Sequence, residues 1–262
     1  MRKIIIANWK MSPDSPGRAA ALARKIEREI SQLQISVLRN TEIIIAPPFP
    51  FLMPVGSALK RVKLGAQDVF WEVAGAYTGE VSWRELKNLK AEYVIIGHSE
   101  RRVYLGETDE MVNKKLRGVL ENGLSAILCI GERERAGGDI PSVVGVELES
   151  ALAGIKKTFL KNLAVAYEPI WAISTNSGNH GPDTPDNAFR ARIYIEKILT
   201  DLFGRAAARA VRVIYGGSVT AANTAAFMEE GKMDGVLVGG ASLDPKRFGA
   251  IVRAAAAGDL NI

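Results

Sequence analysis

Short apolar, β-branched runs alternate with longer segments of helical period along the whole chain. The runs at Ile4 to Asn8, Glu42 to Ala46, Lys63 to Ala66, Tyr93 to Ile96, Ser125 to Ile130, Leu163 to Tyr167, Arg212 to Tyr215 and Gly235 to Val238 read as strands. They are apolar nearly throughout rather than alternating, as strands covered on both faces are. Between and after them, the spacing predicts helices over Arg18 to Gln34, Phe51 to Arg61, Trp83 to Leu89, Asp109 to Asn122, Ser142 to Phe159, Pro185 to Phe203, Ala221 to Glu230 and Asp244 to Ala257. The Pro185 helix has the plainest ends, with Thr184 as N-cap, proline in the first turn and Gly204 beyond the last. Eight strand-then-helix units in 262 residues predict an α/β chain closed into a parallel eight-stranded (β/α)8 barrel, one domain from residue 1 to 262. An open doubly wound sheet is the alternative. It is weakened because no G-x-G-x-x-G follows the first strand.

Composition narrows the classes of function. Net charge is +5, but the 34 Lys and Arg are scattered among 29 Asp and Glu, with no basic run of five or more. That is a solvated charged surface, not a nucleic-acid footprint. No apolar stretch approaches the ~20 residues of a membrane span. The short run after Met1-Arg2-Lys3 ends at Asn8-Trp9-Lys10 and is no secretory leader. The single cysteine, Cys129, lies in a buried-looking run and fits a reduced thiol in a cytoplasmic protein. Two distant histidines and one cysteine offer no zinc-ligand set, so no metal is expected.

Barrel chemistry sits at the C-terminal ends of strands. Those ends read Asn8-Trp9-Lys10, Gln67-Asp68, His98-Ser99-Glu100, Glu132, Glu168, Gly216-Gly217-Ser218 and Gly239-Gly240. The Gly pairs after strands seven and eight let backbone N–H groups turn toward an anion, which predicts a phosphate cradle. Lys10 adds a positive charge, and His98 ends a strand where a helical turn begins. Glu168 closes an apolar strand and is followed at once by Pro169. The polar stretch from Ser174 to Asp183 reads as a lid. His180 within it is taken as a surface residue. One carboxylate, one imidazole and one ammonium around a phosphate site suggest proton abstraction beside a carbonyl.

The assembled stretches resemble triosephosphate isomerase. They are Ala7-Asn8-Trp9-Lys10-Met11, Gly75 to Ser82, Ile96 to Arg102, Cys129 to Glu132, Ala166 to Ile173, Tyr215 to Val219 and Leu237 to Leu243. The resemblance implies a TIM barrel that interconverts dihydroxyacetone phosphate and D-glyceraldehyde 3-phosphate without a cofactor. It implies Glu168 as the proton-shuttling base and His98 as the neutral electrophile. Lys10 and Asn8 hold substrate oxygens, and Glu100 supports Lys10. Ile173 and Leu237 match apolar residues that close over the base. Phosphate is expected on the N–H groups of Ser174, Ser218, Gly239 and Gly240. The loop carrying Thr78 matches the one that each family subunit inserts beside its partner's Asn8 and Lys10, which implies a homodimer. This chain departs from the family's usual pattern in three places. Ser174-Thr175-Asn176 replaces Gly-Thr-Gly in a longer lid, Asp68 replaces an Asn, and the segment from Glu132 through Gly138 is shortened.

Overall fold

A computed structural model describes residues 1–135, 137, 139–173 and 183–257. Ser174, His180 and the rest of the expected lid up to Pro182 lie outside the described residues, as does Gly138. Eight parallel strands close into a barrel in sequence order: β1 (Lys3–Asn8), β2 (Thr41–Ala46), β3 (Lys63–Ala66), β4 (Tyr93–Ile96), β5 (Ser125–Ile130), β6 (Leu163–Tyr167), β7 (Arg212–Tyr215) and β8 (Gly235–Val238). β1 pairs with both β2 and β8, which removes every free sheet edge.

Among the described residues the helices are α1 (Pro16–Ser31), α2 (Ile35–Asn40), α3 (Leu52–Gly56), α4 (Trp83–Asn88), α5 (Ser99–Leu105), α6 (Asp109–Glu121), α7 (Ser142–Leu152), α8 (Pro185–Phe203), α9 (Arg205–Ala208), α10 (Ala221–Glu229) and α11 (Pro245–Ala257). None is long and apolar enough to cross a membrane. α8 has the bounds the sequence predicts, and the Thr184 hydroxyl accepts the N–H of Asn187 as its cap.

Two expected helices are shorter. The segment Phe51 to Arg61 is helical only to Gly56. Beyond it Ala58 and Leu59 donate to carbonyls three residues back, the tighter 3-10 pattern. The segment Ser142 to Phe159 breaks after Leu152. Gly154 takes a left-handed φ of 72°, and a separate 3-10 turn runs from Lys157 to Asn162. The sequence reading also passed over the short helices α2 and α9.

Strand periodicity divides the core. Ile4, Ile6, Ile44, Ala46, Tyr93, Ile95, Ile127, Cys129, Ala166, Ile214 and Leu237 fill the barrel interior. Ile5, Ala7, Ile43, Ile45, Val94, Ile96, Val165 and Val213 face the helices in a second cluster. Side chains two apart share a face. The inward series therefore runs from Ile6 to Asn8, Ala166 to Glu168, Ile214 to Gly216 and Leu237 to Gly239. In each of these strands the last inward apolar residue is followed by a polar or glycine position at the mouth. The fold thereby sets a rim of polar and glycine positions on a packed floor.

Candidate active site

One cleft of about 400 Å³ opens at that mouth. Its lining includes Asn8, Lys10, His98, Glu168, Ile173, Ser218, Leu237, Gly239 and Gly240, so it gathers the described residues expected to touch substrate. A larger depression, about 520 Å³, lies among Arg192, Glu196, Lys197 and Asp201 on the outer helices and contains no strand-end residue.

Glu168 is 1% exposed. Its Oε2 accepts the N–H of Ser99 at 3.1 Å, while Oε1 has no hydrogen-bond partner. His98 Nε2 lies 3.3 Å from that free oxygen, close but without hydrogen-bond geometry. The imidazole caps α5, with Nδ1 accepting the N–H of Glu100 at 3.3 Å. A ring nitrogen that accepts a hydrogen bond carries no proton, so this contact fits the neutral tautomer with its proton on Nε2.

Lys10 has a left-handed φ of 51°, rare for a residue with a side chain. Its N–H donates to Asn8 Oδ1 at 3.0 Å, and its carbonyl accepts from Gln67 Nε2 at 2.9 Å. These two bonds offset backbone strain of roughly 1–3 kcal/mol. The strained turn carries the ammonium into the cleft, where Glu100 Oε1 accepts from it at 2.5 Å. A Cβ placed on Gly239 would lie 3.5 Å from Lys10 Cε, so the ammonium borders the Gly239-Gly240 turn. Glu100 thus meets Lys10, as the resemblance implies, although it does not line the cleft.

Thr78 stands apart from the cleft. Residues 74–80 are all exposed on a loop that holds itself together. Phe70 stacks on Trp71 at 4.1 Å and meets Tyr77 at 4.6 Å, and its N–H donates to the Val81 carbonyl.

Two strand-end carboxylates turn away from the mouth. Glu132 Oε1 accepts from the Tyr167 hydroxyl at 2.7 Å and from Trp171 Nε1 at 3.0 Å. Asp68 pairs with Lys115 and Arg101, each at 2.7 Å. Glu107 completes the square, 2.9 Å from Lys115 and 2.8 Å from Arg101. Two cations meet two carboxylates in this buried group, so Asp68 supplies a charge that Asn would not. The Cys129 thiol is fully buried, and burial pushes it well above its ordinary range, with the Glu168 carboxylate adding to the effect.

Sequence reasoning missed the Ser99 N–H, the Lys115–Glu107 pair, and Ser12, Thr220 and Arg247 in the cleft lining. A backbone donor leaves no mark in a residue pattern. Lys115 had one, a lysine on the apolar face of an amphipathic helix.

Comparison with known proteins agrees with this geometry. The family model described as triosephosphate isomerase matches residues 3–255. A triosephosphate isomerase of Citrifermentans bemidjiense is 44% identical over 258 residues, covering 97% of this chain and 99% of that protein. Those of Carboxydothermus hydrogenoformans and Dictyoglomus thermophilum are 42% and 41% identical, covering 97% and 96% of this chain and 99% of each relative.

Proposed function

The chain belongs to the triosephosphate isomerase family, and we propose that Glu168 is the base of its reaction. That reaction interconverts dihydroxyacetone phosphate and D-glyceraldehyde 3-phosphate, a step of glycolysis and gluconeogenesis. The ketose and the aldose share one enediolate, so a single carboxylate can take the proton from one carbon and return it to the next.

The observation that carries the reading is the free Oε1 of Glu168, buried at the mouth and 3.3 Å from His98 Nε2. A substrate carbon beside Oε1 brings its carbonyl oxygens within reach of the Nε2 proton. His98 then donates to whichever oxygen gains charge, and the Lys10 ammonium stabilises the same charge. Asn8 fixes the Lys10 turn from below. Ile173 and Leu237 keep water from the base. The N–H groups at Ser218, Gly239 and Gly240 receive the phosphate. Ser174 is assigned to the same anion from the resemblance alone. The hydrogen bond from Ser99 to Oε2 holds the carboxylate aside until substrate displaces it.

The exposed, self-packed loop around Thr78 supports a homodimer in which it docks beside the partner subunit's cleft. The pathway and the buried, reduced Cys129 support a cytoplasmic location. An assay coupled to glycerol-phosphate dehydrogenase tests the base. Glu168→Gln should lose roughly 10²–10⁴-fold in kcat with its circular dichroism unchanged. A variant as fast as the parent would remove Glu168 from the mechanism.

A further inference from the structure

Arg247 stands in the first turn of α11 and lines the same cleft as Ser218, Gly239 and Gly240. It lies beyond the last residue of the Leu237-to-Leu243 stretch that carries the family resemblance. Its backbone N–H donates to Asp244 Oδ1 at 3.0 Å. Its side chain is exposed and, among the described residues, forms no hydrogen bond or ion pair. The other cation of the cleft, Lys10, is held by Glu100 at 2.5 Å.

The charges of the lining decide what this free guanidinium does. Lys10 and Glu168 are the other formally charged residues there, and they cancel. A phosphorylated substrate would thus enter a neutral cleft were Arg247 absent. With it, the lining of the cleft that also contains Gly239 and Gly240 is net positive. Asp244 opposes this charge only in part, since its carboxylate already receives the N–H groups of Lys246 and Arg247.

We propose that Arg247 is a phosphate-capture residue of this chain, a mobile cation that draws the dianion into the cradle and holds its outer oxygens. The inference rests on the phosphate-cradle reading above. It assigns Arg247 to binding and not to proton transfer, because an exposed charge acts over several ångströms in water and is screened by salt.

Lys246→Gln provides the control. It removes the same charge from the preceding residue, which does not line the cleft. Steady-state kinetics on triose phosphate at low and high salt would compare it with Arg247→Gln. Arg247→Gln should raise KM about three- to fivefold at low salt, with kcat little changed and the gap closing at high salt. Competitive inhibition by inorganic phosphate should weaken by the same factor. Arg247→Lys should recover most of the loss, and Lys246→Gln should stay near the parent. Equal effects of the two Gln variants, or a loss confined to kcat with phosphate inhibition unchanged, would overturn the proposal. Calorimetry with inorganic phosphate separates it from the reading it rests on. If the parent turned over no triose phosphate but Arg247→Gln still weakened phosphate binding, the activity would fall and Arg247 would stand. Normal turnover with unaltered phosphate binding would remove Arg247 alone.

Discussion

Glu42 contributes acid-sensitive stability from the foot of the barrel. It points inward on β2, two residues before Ile44, and meets Lys63 at 2.8 Å and Arg212 at 2.7 Å. Burial alone pushes its carboxyl upward, but hydrogen bonds from Lys63 and Arg212 outweigh burial and bring it down to about 2 from 4.5. A carboxyl lowered in the folded state stabilises that state above its unfolded value, and the contribution disappears as pH falls through the folded one. The shift corresponds to about 3 kcal/mol at neutral pH. Urea unfolding of Glu42→Gln should show that deficit at pH 7 and converge on the parent between about pH 4.5 and 2. A gap that persists unchanged at pH 2 would remove Glu42 from acid unfolding. Glu168, His98 and Lys10 stood out in the sequence as candidates because each lies within two residues of the end of a buried strand. The charged foot was not, since Glu42 and Arg212 begin strands and read as ordinary polar ends. Arg247 was hidden among exposed helix residues, which only the closed barrel sets against a cleft.

After β5 and β7, the placement of Glu168 depends on an absence of side chain. A Cβ on Gly131 would fall 1.8 Å from the Glu168 carbonyl oxygen, and one on Gly216 would fall 2.8 Å from Glu168 Cγ. Backbone cannot yield as a flexible side-chain end can, so Gly131→Ala must part the strand ends where Glu168 N–H donates to the Ile130 carbonyl at 2.8 Å. The expected outcome is about 1–3 kcal/mol of destabilisation and roughly a 10²-fold loss of kcat/KM from a displaced carboxylate. Gly17→Ala is the comparison, because nothing lies within 4 Å of its Cβ in α1. It should be neutral or slightly stabilising in a thermal melt. Equal melting points and activities for the two variants would contradict this account. Periodicity found all eight strands and placed α8 correctly, because long periodic runs with caps carry their own boundaries. It overran at Gly56 and Gly154, where turns won over propensity, and left the Ser99 turn without an end. α5 is held from outside by Arg101, which reaches Asp68 and Glu107. No local pattern encodes a helix fixed by partners just beyond β3 and in the approach to α6.

At the scale of the molecule, the closed barrel explains the cleft but leaves the protruding loop unexplained. Eight units in order made the barrel legible, since a parallel sheet with both faces covered has few ways to close. A homodimer was expected only through the resemblance. Residues 74–80 are all exposed, Met11 beside Lys10 is 95% exposed, and Tyr104 and Leu105 at the end of α5 are exposed too. Large apolar side chains left in water favour a covering surface. A second copy that inserts its Thr78 loop over Met11 would cover them and brace the strained Lys10 turn together with Asn8. Activity should then depend on protein concentration. Thr78→Arg would place a charge in that contact, and light scattering should report half the parental mass. Its kcat/KM should fall roughly 10²-fold as Lys10 loses its brace. The barrel itself should survive with its far-UV spectrum intact, because the loop packs on its own Phe70, Trp71 and Tyr77. A parent protein of monomer mass whose specific activity is indifferent to dilution would sink the dimer, while leaving Glu168, His98 and the phosphate cradle where they are.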